Sequence, residues 1–363
     1  MVSGLQRRLA MAKRFLFAWG LGLVLAYLVA GWLCARALRE ARVETDQRRR
    51  AFVETAAIGS AKTIDPSTFA GAEVTVGVFV GHIDNLEVAG GTFTTDFDVW
   101  FRWRDDDLHP GETFQLVNGT VKSRAQIETS EDGGEHYERW RVHAKVQTSL
   151  DPVRYPFGDT ALSIQIEDVR HGADHIRYTA DARSSGVSSD GLPNGLTAKQ
   201  TLATVKYVDY ASSLGHSGGA HTVRTRFGFL MLVAPPSGPT YLKNFQALFA
   251  SVAIAFLALF IRPIHVDPRF GLGVGAVFAA IANNISVATS MPTVHEFTLT
   301  AMVYAIGLGT IFLTMVESAI SLYLLDTLHL EKRYKQLDAI SFAIFLVAYV
   351  ALNIVLPMAA GPS

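Results

Sequence analysis

Four apolar stretches crowd into the last third of the chain: Tyr241 to Ile261, Phe270 to Met291, Leu299 to Leu325 and Ala339 to Pro357. A bilayer core about 30 Å thick takes roughly 20 helical residues to cross, and each stretch meets or nearly meets that length. A fifth, Phe15 to Ala37, lies near the start, and about 200 residues without a spanning segment separate it from the others. The expected layout is an N-terminal hydrophobic element (1–40), a linker (41–70), a water-soluble domain (71–235) and a four-helix membrane bundle (236–363). Composition agrees: 49% of residues are apolar, 18% are charged and the mean hydropathy is +0.23, high for a soluble protein. A net charge of -1 gives no ground for nucleic-acid binding. The single cysteine, Cys34, excludes an internal disulfide and reads as lipid-buried rather than reactive.

Basic residues set the expected orientation. Arg7, Arg8, Lys13 and Arg14 precede the first apolar run and keep the N-terminus inside. Arg262 and Arg269 flank the first short loop of the bundle, and Lys332, Arg333 and Lys335 lie between its third and fourth helices, so both connections also fall inside. The soluble domain, the loop MPTVHEF and the C-terminus then lie outside, in a multi-pass membrane protein. The first run is either a cleaved signal peptide, with Ala35-Arg36-Ala37 as the site, or a retained anchor.

The soluble domain alternates with period two. EVTVGVFV from Glu73 puts Val74, Val76, Val78 and Val80 on one face. TFTTDFDVWFRW does the same with Phe93, Thr95, Phe97, Val99, Phe101 and Trp103. ERWRVHAKVQ and LSIQIE repeat the pattern, and further strands are expected around TVKYVDY and HTVRTRFGFLMLV. Turn signals fall between them at Gly90-Gly91, Asp132-Gly133-Gly134 and Ser217-Gly218-Gly219. The expected fold is an antiparallel, Ig-like β-sandwich ahead of the bundle. There is no P-loop, dinucleotide turn, HExxH or CxxC, so no enzyme, catalytic residue, metal or cofactor is expected.

Several motifs carry a resemblance: Trp103-Arg104-Asp105 as W-x-D, Tyr155-Pro156-Phe157 at a loop apex, Pro292 closing an apolar span, and IANNISVATSMP followed by VESAISLYL. In this order they resemble the pentameric ligand-gated ion channels, the Cys-loop receptor superfamily in its prokaryotic form without the disulfide. The likeness runs from about Glu73 to Pro357 and is nearest the bacterial proton-gated cation channels.

Within 267–291, a period of 3.6 places Asp267, Gly271, Gly275 (or Val274), Phe278, Ala282, Ile285 and Thr289 along one stripe. The resemblance implies that this stripe lines a five-fold pore, with Asp267 as a cytoplasmic ring selecting cations. Two unit charges about 5 Å apart at an effective dielectric of about 20 interact by about 3 kcal/mol, enough to attract a passing ion. Asp267 can equally cap the helix ahead of Pro268. Phe278, the bulkiest member, is a candidate hydrophobic gate, or else packs between neighbouring helices. Glycines at 271 and 275 depart from the hydroxyl-bearing residues usual there. At least one of Asn283 and Asn284 should bond an adjacent helix, and Glu317 should face protein or water.

The resemblance further implies coupling through Glu87, Tyr155, Pro156, Phe157, Asp159 and Pro292, with Lys243 standing where a basic residue is usual. Ligand candidates are Trp100, Arg102, Phe114, Arg141, His171, His175, Tyr210, His216 and His221; the histidines can sense protons, ligate a metal or be ordinary surface residues. The expected function is a homopentamer in the lipid bilayer that passes monovalent cations and is opened by a small-molecule agonist or protons. A non-conducting receptor of the same architecture is the alternative.

Overall fold

The computed structural model describes residues 2–58, 70–87, 90–148, 153–193, 195–212, 222–289 and 297–361. The chain divides into a helical unit (Met1–Val43, Pro152–Gly158, Ser237–Ser363) and a β unit (Glu44–Asp151, Asp159–Pro236).

Among its described residues the β unit holds ten strands: β1 Ala72–Glu87, β2 Thr92–Trp103, β3 Phe114–Leu116, β4 Gly119–Asp132, β5 Glu135–Gln147, β6 Thr160–Asp168, β7 Ile176–Ala180, β8 Gly186–Val187, β9 Thr197–Tyr210 and β10 Thr222–Ala234. One sheet runs β4-β5-β2-β1-β7 with β8 also paired to β1, and the other runs β3-β6-β10-β9. Both sheets give residues to one apolar core. Val74, Val76, Val78 and Val80 are fully buried in it, as are Leu162, Ile164 and Ile166 from the second sheet. Each such side chain contributes roughly 1.5–3 kcal/mol on burial. The stripe expected on β2 is buried along its whole length. Trp100 is buried as well, on the other face, where its ring packs on Gly77; a Cβ there would come within 2.2 Å of it.

Two features differ from expectation. The pairing is not wholly antiparallel: β7 and β8 run parallel to β1. β7 is reached from β6 of the other sheet, so no hairpin sets its direction. The strand β4 was not legible, because GTVKSRAQIETSED is exposed nearly throughout and carries no buried face. It is an edge strand held to β5 by a two-residue turn in which Gly133 and Gly134 take φ of 58° and 75°, the left-handed values that glycine permits.

Among the described residues, five helices are long and apolar enough to cross a membrane, at Lys13–Glu44, Ser237–Phe260, Val266–Ala288, Leu299–Asp326 and Glu331–Ala360. The first belongs to α1 (Val2–Ile58), which continues as helix through much of the stretch expected to be linker. A single turn, α2 (Pro110–Thr113), sits in the β unit, and α3 (Ser237–Leu257), α4 (Val266–Ala288), α5 (Leu299–Asp326) and α6 (Glu331–Ala360) complete the helical unit. Leu23, Tyr27, Ala35 and Leu38 of α1 share one core with Phe245, Val252, Met302 and Phe345. Polar side chains join the helices: Trp19 Nε1 donates to Ser341 Oγ (3.0 Å), Tyr27 and Thr310 hydroxyls lie 2.6 Å apart, and Tyr241 Oη donates to Asn353 Oδ1 (3.0 Å).

Candidate functional site

α4 is the element on which the expected site turns. Its cap position falls on His265, so Asp267 does not cap the helix but stands in its first turn. A carboxylate there complements the helix dipole by about 0.3–1 kcal/mol. Arg269, Gly273, Ala276, Ala280 and Val287 form the buried face. A Cβ on Gly273 would lie 2.7 Å from Met315 Cγ, so this glycine permits close approach to α5. The expected stripe of Asp267, Gly271, Gly275, Phe278, Ala282, Ile285 and Thr289 is exposed at every position. Gly271 and Gly275 meet nothing within 4 Å, and Phe278 and Ile285 are 69% and 62% exposed. Of the asparagine pair, Asn283 bonds the neighbouring helices, donating to Asn244 O (3.1 Å) and to the Tyr304 hydroxyl.

Arg269, which flanks the first short loop of the bundle, is buried inside the helical unit. Nη2 donates to Glu317 Oε2 (3.1 Å) and Asp338 Oδ1 (3.0 Å). Nη1 donates to Ile261 O (2.7 Å) and Asp338 Oδ2 (3.3 Å), and Nε donates to Ser318 Oγ (3.0 Å). Ser321 Oγ bonds both acids. One guanidinium, with every donor used, thus ties the start of α4 to α5, to α6 and to the chain after α3. Glu317 faces protein, as expected; Arg269 and Asp338 were missed. The available signal was that an ionisable residue inside a spanning segment requires a partner.

Residues 153–158 count with the helices although they lie between β5 and β6 in sequence. Leu299 N donates to Val153 O (2.8 Å) and Ser237 Oγ to Pro156 O (2.7 Å). The Phe157 ring lies 5.6 Å from Tyr241, and the Tyr155–Pro156 peptide is cis. Burial pushes the Tyr155 phenol up. The other expected coupling residues are placed separately. Lys243 is exposed on α3. In the β unit, Asp159 pairs with Lys199 (2.7 Å). Glu87 accepts from Lys145 (2.8 Å) and from Thr92, bonds that hold its carboxyl below the usual range. Pro292 lies outside the described residues.

The ligand candidates fall into separate groups. Trp100 Nε1 (3.3 Å) and Arg102 Nη2 (2.8 Å) converge on Asp181 Oδ2. Burial works against the Asp181 carboxylate, but hydrogen bonds from Ser184 and Trp100 and the charge of Arg102 outweigh it and leave the carboxyl below its ordinary value. Arg141 is a separate surface pair with Asp98 (2.9 Å). Phe114 is buried, with the Arg124 guanidinium 5.2 Å over its ring and 5.5 Å over that of Trp140. His171 Nδ1 lies 3.1 Å from Asp168 Oδ1, and the His171 and His175 rings are 6.2 Å apart. Tyr210 Oη donates to the fully buried Glu167 (2.9 Å) and accepts from Arg226 Nη2 (2.8 Å). Burial and then Glu167 push that phenol up. His216 and His221 lie outside the described residues. The acid Asp181, which occupies the polar end of the Trp100 and Arg102 pair, was not anticipated.

No protein-family model matches the chain, and no curated protein matches it.

Proposed function

We propose that the chain is one subunit of a homopentameric ligand-gated cation channel of the bacterial inner membrane. In this reading the β unit is an Ig-like sandwich on the outer side, α4 lines the pore, Asp267 forms the selecting ring and Phe278 the constriction. An agonist or protons acting on the β unit shift the population between closed and open arrangements of α4. The observation that carries the reading is the exposed face of α4. It places an acid at the head of a row of small and apolar residues on a helix able to span a bilayer, while the opposite face packs.

The test is current through purified protein in planar bilayers, from pH 4 to 8, under sodium and chloride gradients. Cation current is expected, with a reversal potential that follows sodium and moves toward chloride in Asp267→Asn. A wild-type reversal potential that follows chloride would remove the role given to Asp267. Phe278→Ala is expected to raise resting current several-fold, because a narrow apolar ring closes a pore by excluding water. Silence of both the wild type and Phe278→Ala would favour the second reading, a non-conducting receptor. That reading draws on the same face, where Phe278 projects and positions 271 and 275 carry no hydroxyl.

A further inference from the structure

Three adjacent strands of the β unit place two histidines and an aspartate in one lateral row. His82 on β1 stands opposite Asp96 on β2, and Asp96 stands opposite His143 on β5. Their strand neighbours Phe97 and Val142 turn into the core, so the row lies on the outward face. Asp84 joins it from β1, beside the irregularities on either side of Ile83. The Thr95 hydroxyl donates to His82 O (2.8 Å) and holds the chain there.

The Asp84 carboxylate lies between both rings, with Oδ1 3.6 Å from His82 Nε2 and Oδ2 3.9 Å from His143 Nδ1. His143 Nδ1 is 2.9 Å from Asp96 Oδ1. Ligand atoms of Asp84, Asp96 and His143 all lie within 4.8 Å of one another. A tetrahedral Zn²⁺ with bonds of about 2.0–2.2 Å has ligand atoms roughly 3.4 Å apart. These three close by up to about 1.4 Å, and His82 swings in from beside Asp84, on side chains that are one-third to one-half exposed.

The charge of this row differs from that of its neighbours. Asp98 is matched by Arg141 (2.9 Å), and Glu87 by Lys145 (2.8 Å), each a permanent cation. Among the described residues, the His82–Asp84–Asp96–His143 group has imidazoles alone opposite its two carboxylates. With the rings neutral it offers two nitrogen and two oxygen donors and a net charge of about -2, complementary to a dication. Imidazole donors select Zn²⁺ and related transition ions over Ca²⁺, which takes oxygen ligands.

We propose that His82, Asp84, Asp96 and His143 form a binding site for a divalent transition metal ion of the Zn²⁺ class, which would clamp β1, β2 and β5 together across the outer face of the sheet. The site is independent of the channel reading, since none of its residues belongs to α4 or to the ligand candidates.

The test uses the full chain, purified in detergent without a histidine tag and stripped with chelator. Titration calorimetry near neutral pH is expected to show one Zn²⁺ per chain. Co²⁺ in its place is expected to give the intense visible bands of a four-coordinate site. His82→Gln combined with His143→Gln should weaken Zn²⁺ by more than the roughly 10–100-fold that loss of an outer-shell partner already costs. Asp98→Asn, one row away, should leave it unchanged. If the double variant fails to fold by tryptophan fluorescence, Asp84→Asn reads the same loss, since Asp84 makes no strand pairing. The proposal is overturned if the wild type takes up no Zn²⁺. It also fails if the variants bind as the wild type does, or if Ca²⁺ competes equally and the histidines make no difference.

Discussion

Arg269 concentrates more consequence than any other single residue of the helical unit. Its side chain and that of Glu317 are fully buried, and Asp338 is 12% exposed. A buried charge left without its partner costs about 3–5 kcal/mol, whereas replacing a whole buried cluster by neutral groups can cost little. Arg269→Met should therefore lower the thermal unfolding temperature of the purified protein sharply. Adding Glu317→Gln and Asp338→Asn should recover part of the loss, because no carboxylate is then stranded. Unfolding of Arg269→Met at the wild-type temperature would show that the guanidinium is not what holds the start of α4. Asp181 in the β unit gives a second test. Its carboxyl is depressed in the folded chain, so the stability it contributes is present above the unfolded value, near about 3.9, and is lost as pH falls through the folded one. Asp181→Asn should destabilise the β unit at neutral pH, and the gap from the wild type should close on acidification. A gap of constant size down to the acid limit would exclude this account.

At the scale of the element, α1 behaves as a component of the bundle. A Cβ on Gly31 would come within 2.5 Å of Leu352 Cδ2, so α1 and α6 meet closely at that point. Gly31→Leu should overpack the contact by about 1–3 kcal/mol, and Leu352→Ala should partly restore it; stability of the detergent-solubilised protein measures both. Intact mass reads whether this contact persists in the mature protein: a species that keeps residues 1–37 retains it, and one that lacks them does not. What the sequence disclosed about elements followed their burial. β1, β2, β5 and β6 alternate because one face of each meets the core, and each of the long helices holds an apolar window of membrane-spanning length. β4 has no buried face to print a pattern, and β7 is only five residues long. The exposed stripe of α4 was legible from its period alone. The cluster around Arg269 was not, because Glu317 and Asp338 lie 48 and 69 positions away and no local spacing encodes their meeting. The row from His82 to His143 escaped for the same reason, since it exists only once three strands are in register.

At the scale of the whole molecule, the exposed faces of the spanning helices are chemically unequal. α6 turns Val347, Val350, Ile354, Val355 and Met358 outward, all large and apolar, as lipid contact requires. α4 turns outward Asp267, two glycines, Ala282 and Thr289 among its apolar residues. An acid and open backbone are poor lipid contacts but suit water or another copy of the same helix. This asymmetry makes a water-lined α4 distinguishable from a lipid-facing one by chemical accessibility. In a Cys34→Ser background, cysteines placed singly at Gly271, Gly275, Ala282 and Ile285 should react with a charged, membrane-impermeant thiol reagent in reconstituted protein. Cysteines at Val347 and Ile354, exposed to a similar degree in the subunit, should react far more slowly, because a thiol in hydrocarbon neither ionises nor meets the reagent. Equal rates at both sets of positions, or a particle without five-fold symmetry, would leave the β unit and its five apolar helices standing and remove the pore.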